Sequence, residues 1–126
     1  MSEKITVLYV DDEMINLMLF KRLFKDHFYI LTAESGNKGL EVLASEKEIK
    51  AVVSDMKMPN MSGLEFAVKA KNQFPDVVFF ILTGFDCTPE MIEALNSKLI
   101  SEYFGKPLNS AKIIGSIQEA LNRNEP

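Results

Sequence analysis

Two adjacent acids, Asp11 and Asp12, with Glu13 behind them, close a short apolar run near the start of the chain. A third acid, Asp55, closes another such run, Thr83-Gly84 closes a third, and Lys106-Pro107 follows a fourth. Three carboxylates brought together repel one another. A hard divalent cation relieves that repulsion, and Mg²⁺ accepts a few carboxylates together with a carbonyl and waters. A carboxylate shielded in this way is a competent nucleophile toward phosphorus. A phosphoryl group in transfer carries its charge on three oxygens. One suits the cation, one the Lys106 ammonium, and one the Thr83 hydroxyl with nearby backbone N–H groups. A single acid at a strand end is ordinary, and the Asp11-Asp12 pair alone is weak evidence. The signal is the joint match of every position.

The set converges only if the fold carries it to one edge. Short β-rich runs occur at residues 5–10, 29–32, 51–54, 77–82 and 100–104, several of them apolar throughout, as in strands covered on both faces. Segments of helical period lie between and after them. Ile15, Leu19 and Leu23 mark the first, Leu40 and Leu43 the second, and Leu64, Ala67, Val68 and Lys71 the third. Met91, Ala94 and Leu95 mark the fourth, and Ile113, Ile114, Ile117 and Leu121 the fifth. Ser62-Gly63-Leu64-Glu65 has the form of a capping box. Thr88-Pro89-Glu90 offers an N-cap hydroxyl, a first-turn proline and a first-turn acid. Asn109 or Ser110 caps the last helix. Five strands alternating with five helices imply right-handed crossovers onto a parallel sheet, an α/β three-layer sandwich. In such sheets ligands sit beyond the carboxyl ends of the strands, where the acids, Thr83 and Lys106 all fall.

The chain has 126 residues, 14 Lys and Arg against 18 Asp and Glu, and a net charge of −4. That length fits one domain over residues 1–126, with a core at about 4–121 and a polar, frayed tail at 122–126. No basic patch suggests direct nucleic-acid binding. One cysteine, Cys87, rules out an internal disulfide and fits a reducing compartment. No apolar run approaches the ~20 residues that span a bilayer. The expected setting is cytoplasmic, away from membranes.

The rim residues, their spacing and the segment Asp55-Met56-Lys57-Met58-Pro59-Asn60-Met61-Ser62-Gly63 resemble the receiver domain of two-component response regulators, of the kind found in chemotaxis regulators. The resemblance runs from Lys4 to about Leu121. It implies the flavodoxin-like strand order 2-1-3-4-5, which periodicity alone leaves open. It further implies that Asp55 is the phosphoacceptor, and that Asp12, Asp55 and the backbone carbonyl of Lys57 hold Mg²⁺, or Mn²⁺ in its place. Asp11 assists directly or through water. Lys106 pairs with the acceptor and then with the phosphoryl group, and Thr83 hydrogen-bonds a phosphoryl oxygen. Lys106-Pro107 resembles the family's cis peptide. Tyr103 resembles the aromatic that turns inward when the threonine shifts; its alternative is a strand aromatic with a wet hydroxyl. The implied partners are a histidine kinase or histidine phosphotransfer protein, an output partner or effector domain, and a second copy of the chain on phosphorylation. The implied chemistry is self-assisted phosphorylation and dephosphorylation rather than enzymatic turnover.

Lys57 and Phe85, two residues beyond Asp55 and Thr83, flank the expected path of hydrolytic water. Phe85 offers that water no hydrogen bond, which predicts slow autodephosphorylation unless the ring packs on the fourth helix. On a helical wheel the first helix buries Asn16, Leu19, Phe20 and Leu23. Met14 and Met18 then point outward, with Leu17 at the border, as a docking surface for the phosphodonor. Scattered surface methionines are the plain alternative. Three other functions compete. A Mg²⁺-dependent phosphohydrolase with an Asp nucleophile carries Asp-x-Asp on its first strand, whereas here the acids are adjacent. An FMN binder needs a phosphate loop where Asp11-Asp12-Glu13 would repel phosphate. A receiver acting as a phosphorylation-independent binding module has no need of the complete rim.

Overall fold

A computed structural model describes residues 4–84 and 87–124. The elements run β1 (Ile5–Val10), α1 (Met14–Phe24), β2 (Phe28–Ala33), α2 (Gly36–Ser45), β3 (Ile49–Asp55), α3 (Gly63–Gln73), β4 (Val78–Thr83), α4 (Pro89–Asn96), β5 (Glu102–Gly105) and α5 (Ser110–Asn124). All strand pairs are parallel, in the order β2-β1-β3-β4-β5. This is the flavodoxin-like sandwich.

Strand side chains alternate between faces, so each strand feeds two cores. Val7, Tyr9, Ala51, Val53, Val78, Phe80 and Leu82 pack on one side with α1 and α5. Leu8, Val10, Val52, Val77, Phe79 and Ile81 pack on the other with residues of α3 and α4. Burial of a Phe or Leu on either face contributes roughly 1.5–3 kcal/mol, which is why the strands read as unbroken apolar runs.

The helix starts follow their local chemistry. Ser62 and Glu65 form the reciprocal capping box, with Glu65 N–H to Ser62 Oγ at 3.1 Å and Ser62 N–H to Glu65 Oε1 at 2.8 Å. Thr88 caps α4 by accepting from Met91 N–H at 3.2 Å, with Pro89 in the first turn. Asn109, rather than Ser110, caps α5 by accepting from Lys112 N–H at 3.1 Å. Ser35 caps α2 by accepting from Lys38 N–H.

One expectation is corrected. The buried side of α1 is Leu17, Phe20 and Phe24, while Leu19 and Leu23 are 50% and 48% exposed and Asn16 is half-buried. The aromatics set the phase: Phe20 stacks on Tyr9 with centroids 3.9 Å apart, and Phe24 follows at 4.3 Å from Phe20. That rotation buries Leu17, at 7% exposure, and withdraws it from the docking surface. At the other end α5 runs to Asn124. Asn122, Arg123 and Asn124 include neither Gly nor Pro to stop a helix.

Candidate functional site

The adjacent ends of β1 and β3 bring the acids together. One carboxylate oxygen from each of Asp11, Asp12 and Asp55 lies within 4.8 Å of the others. Asp11 and Asp55 are buried and Asp12 is exposed. Asp11 is fixed from two sides: Tyr9 O–H donates to its Oδ2 at 2.6 Å, and Glu13 N–H donates to its Oδ1 at 3.0 Å. Its own N–H bonds the Ala33 carbonyl at 3.2 Å, tying the turn to the end of β2.

Asp55 is held by its neighbours across β4 and β5. Lys106 Nζ stands 2.6 Å from Asp55 Oδ1. Lys106 N–H donates to the Thr83 carbonyl at 2.9 Å, and the Lys106–Pro107 peptide is cis. Thr83, buried at the end of β4, joins Met56, Met58, Ser62, Thr88 and Met91 around a cleft of about 300 Å³ beside the end of β3. Asn60 takes a left-handed turn (φ 70°), a conformation Asn tolerates. The chain then returns so that Gly63 N–H donates to the Met56 carbonyl at 2.8 Å. A Cβ on Gly63 would stand 2.5 Å from the Asp55 carbonyl oxygen, so the close approach of α3 to Asp55 requires glycine.

The electrostatics are those of a crowded anionic site. Burial pushes the Asp55 carboxyl above the ordinary carboxylate range; the Lys106 hydrogen bond opposes this, and the Asp11 charge adds to it. Desolvation pulls Lys106 down, but the hydrogen bond to Asp55 and the charges of Asp55, Asp11 and Glu13 leave it raised. Burial, then the hydrogen bond to Asp11, keeps the Tyr9 phenol protonated far above its usual range. The Lys106 ammonium pairs with one of three clustered acids, Asp55, so the carboxylates remain crowded. Hard oxygen donors so close together fit Mg²⁺ and suit no soft metal.

Asp11, Asp12, Asp55, Thr83 and Lys106 therefore meet at one rim. Lys57 is exposed on the β3–α3 loop, beside the same cleft. Tyr103 on β5 is half-buried and packs against the core on the α3 and α4 side. Phe85 lies outside the described residues. Met14 and Met18 are 64% and 65% exposed on α1, where Ile15 and Leu19 widen the apolar surface. Met61 is buried in the core, and Met56 and Met58 pack against it from the same loop. The sequence reading missed Tyr9. Its signal was a phenol in an otherwise nearly aliphatic strand, two residues before an acid and hence on the same side of the strand.

The family model described as the response regulator receiver domain matches residues 7–118, and the chain belongs to that family. Accepting a phosphoryl group within two-component signalling is the family's function. The hydrogenase transcriptional regulatory protein HoxA of Bradyrhizobium diazoefficiens is 28% identical over 121 residues, 96% of this chain and 25% of that protein. The transcriptional regulatory protein GlrR of Escherichia coli is 30% identical over 116 residues, 92% of this chain and 26% of its own. The chain thus spans about a quarter of the length of these curated relatives. A receiver domain protein from Clostridium thermocellum superposes with a TM-score of 0.86 at 32% identity, covering 94% of each chain. Among the described residues, no helix is long and apolar enough to cross a membrane.

Proposed function

We propose that Asp55 of this receiver accepts a phosphoryl group from a phosphohistidine donor, a histidine kinase or phosphotransfer protein, and that Mg²⁺ held at the acid cluster is required. The observation that carries this is a buried carboxylate, Asp55, ion-paired to Lys106 at 2.6 Å and clustered with two further acids. Asp55 attacks phosphorus, the O–P bond forms, the P–N bond breaks, and the electron pair returns to the imidazole nitrogen, which takes a proton. Asp11, Asp12, Asp55 and the Lys57 carbonyl would hold Mg²⁺, with Mn²⁺ a substitute. When bound, the cation supplies charge neutralisation to the phosphoryl oxygens. Lys106 exchanges its carboxylate partner for a phosphoryl oxygen, and Thr83 donates its hydroxyl to another.

The new charge draws Thr83 toward it, and Tyr103 follows into the space released. Packing of α4, β5 and α5 then differs between two states, which is how one group becomes a signal. A homodimer on phosphorylation, an output partner and an effector domain are the readouts proposed. Lys57 and Phe85 tune the lifetime of the phosphoryl group. Met14 and Met18, without Leu17, form the donor's docking contact. Transfer from a kinase suits a cytoplasmic setting and one domain covering residues 1–126. The test is exposure of the protein to acetyl phosphate with Mg²⁺, followed by intact mass. Wild type gains one phosphoryl group and Asp55→Asn gains none; equal labelling of both would overturn the assignment.

A further inference from the structure

We propose that Tyr9 is a positioning residue for the cation, acting through Asp11. The inference rests on the reading that the acid cluster holds Mg²⁺. Tyr9 and Asp11 lie on the same side of β1's path, and the phenol spends its hydrogen bond on Asp11 Oδ2 at 2.6 Å. The Glu13 N–H takes Oδ1 at 3.0 Å, so both carboxylate oxygens are engaged before any cation arrives. The two donors fix the plane of the carboxylate, and each oxygen keeps a lone pair to offer.

The phenol itself has little freedom. Tyr9 is 2% exposed, its ring is stacked on Phe20 within 3° of parallel, and Phe20 leads on to Phe24 and then Phe28. An aromatic ladder between the sheet and α1 therefore aims one hydroxyl at one metal-ligating carboxylate. A phenylalanine would fill the same space and stack in the same way. The hydroxyl is not required for packing; among the described residues it donates to Asp11. Partners of this kind orient ligands and raise metal affinity, and their loss characteristically costs about 10–100-fold in affinity.

The experiment is calorimetric titration of Mg²⁺ into wild type, Tyr9→Phe, Asp11→Asn and the double variant, without phosphodonor. Tyr9→Phe is expected to raise the Mg²⁺ dissociation constant by about tenfold, at the lower end of that range because Glu13 N–H still holds Oδ1. In the Asp11→Asn background the same substitution is expected to change it by less than about twofold, since residues acting as a unit are non-additive. A role in packing alone would lower the melting temperature and leave the dissociation constant where it was, which overturns the proposal. An equal loss in both backgrounds overturns it too. A second measurement uses only the wild type. With ring-¹³C-tyrosine, three residues report, and the Tyr9 Cζ resonance is expected to move with Mg²⁺ along the calorimetric curve. A stationary Tyr9 signal during measurable binding contradicts the inference. A wild type that binds no Mg²⁺ refutes the metal reading itself, a separate outcome.

Discussion

The two faces of the sheet support the site in different ways. On the α1 and α5 side, Tyr9, Phe20, Phe24 and Phe28 form a continuous aromatic ladder ending in the hydrogen bond to Asp11. On the α3 and α4 side Met56, Met58 and Met91 line an open cleft with Thr83, and Gly63 makes the close approach to the Asp55 backbone. Aromatic stacks hold one geometry, whereas methionines adapt to several. The contrast suggests a division of labour. The aromatic stack fixes one carboxylate of the proposed cation site, and the methionines give the other side room to adapt to the proposed phosphoryl group.

The largest effect that sharpens this contrast is expected at Lys106, which joins the two halves. Lys106→Met removes the ammonium that meets Asp55 and is expected to slow phosphorylation about 10²–10³-fold, the cost of one lost transition-state donor. Rates of labelling from acetyl phosphate at saturating Mg²⁺ check it, and a rate within threefold of wild type goes against it.

Next comes pH, acting on the shared carboxylate. Burial raises the Asp55 pKa, so the native state takes up a proton more readily than the unfolded chain. The sign follows: this group stabilises the cation-free fold fully below the ordinary aspartate value near 3.8, and the contribution is lost as pH climbs through the raised value. Cation binding runs the other way, because the ligand must be ionised. Below the raised value, Mg²⁺ affinity is expected to fall by up to about tenfold per pH unit. Asp55→Asn flattens the stability component. Denaturation and calorimetry across pH 4 to 7 measure both, and parallel trends for the two would contradict the assignment.

Gly63→Ala probes the deformable face. Its Cβ would stand 2.5 Å from the Asp55 carbonyl, and backbone cannot swing aside as a side-chain tip can. A loss of about 1–3 kcal/mol in urea unfolding is expected, as for other overpacked sites. Slower phosphorylation should accompany it, since the displaced atom belongs to the acceptor residue. The smallest effect on stability, within about 0.5 kcal/mol, is expected for Met14→Ser with Met18→Ser on the outer surface of α1. Labelling by acetyl phosphate should be untouched while transfer from a phosphohistidine protein slows. Unchanged transfer would remove α1 as the docking surface.

What the sequence disclosed follows the same divide. Strand-end chemistry was legible because the termini of β1, β3 and β4 are marked by abrupt switches from apolar runs to Asp11, Asp55 and Thr83. The caps at Ser62 and Thr88 were legible because they act within four residues. The phase of α1 was not, since Leu19 and Leu23 look as fit for a core as Leu17. Only the tertiary stack of Phe20 on Tyr9 chooses between them. Tyr9 escaped notice for the same reason: in a strand read as an apolar run, a phenol counts as one more buried ring until its hydroxyl is seen against Asp11. Ser35 was overlooked because its helix opens Gly-Asn-Lys-Gly, a poor helix-forming run stabilised by that cap and by packing of Gly39 on Phe66.

In the function proposed above, one carboxylate, Asp55, carries the phosphoryl group. Incubation with Mg²⁺ and acetyl phosphate, reduction of the acyl phosphate with borohydride and peptide mapping test it most directly. Reduction is expected to convert Asp55 alone to homoserine, and omission of Mg²⁺ to abolish the signal. Modification at Asp11, Asp12 or elsewhere, or labelling that persists after metal is chelated, would contradict it.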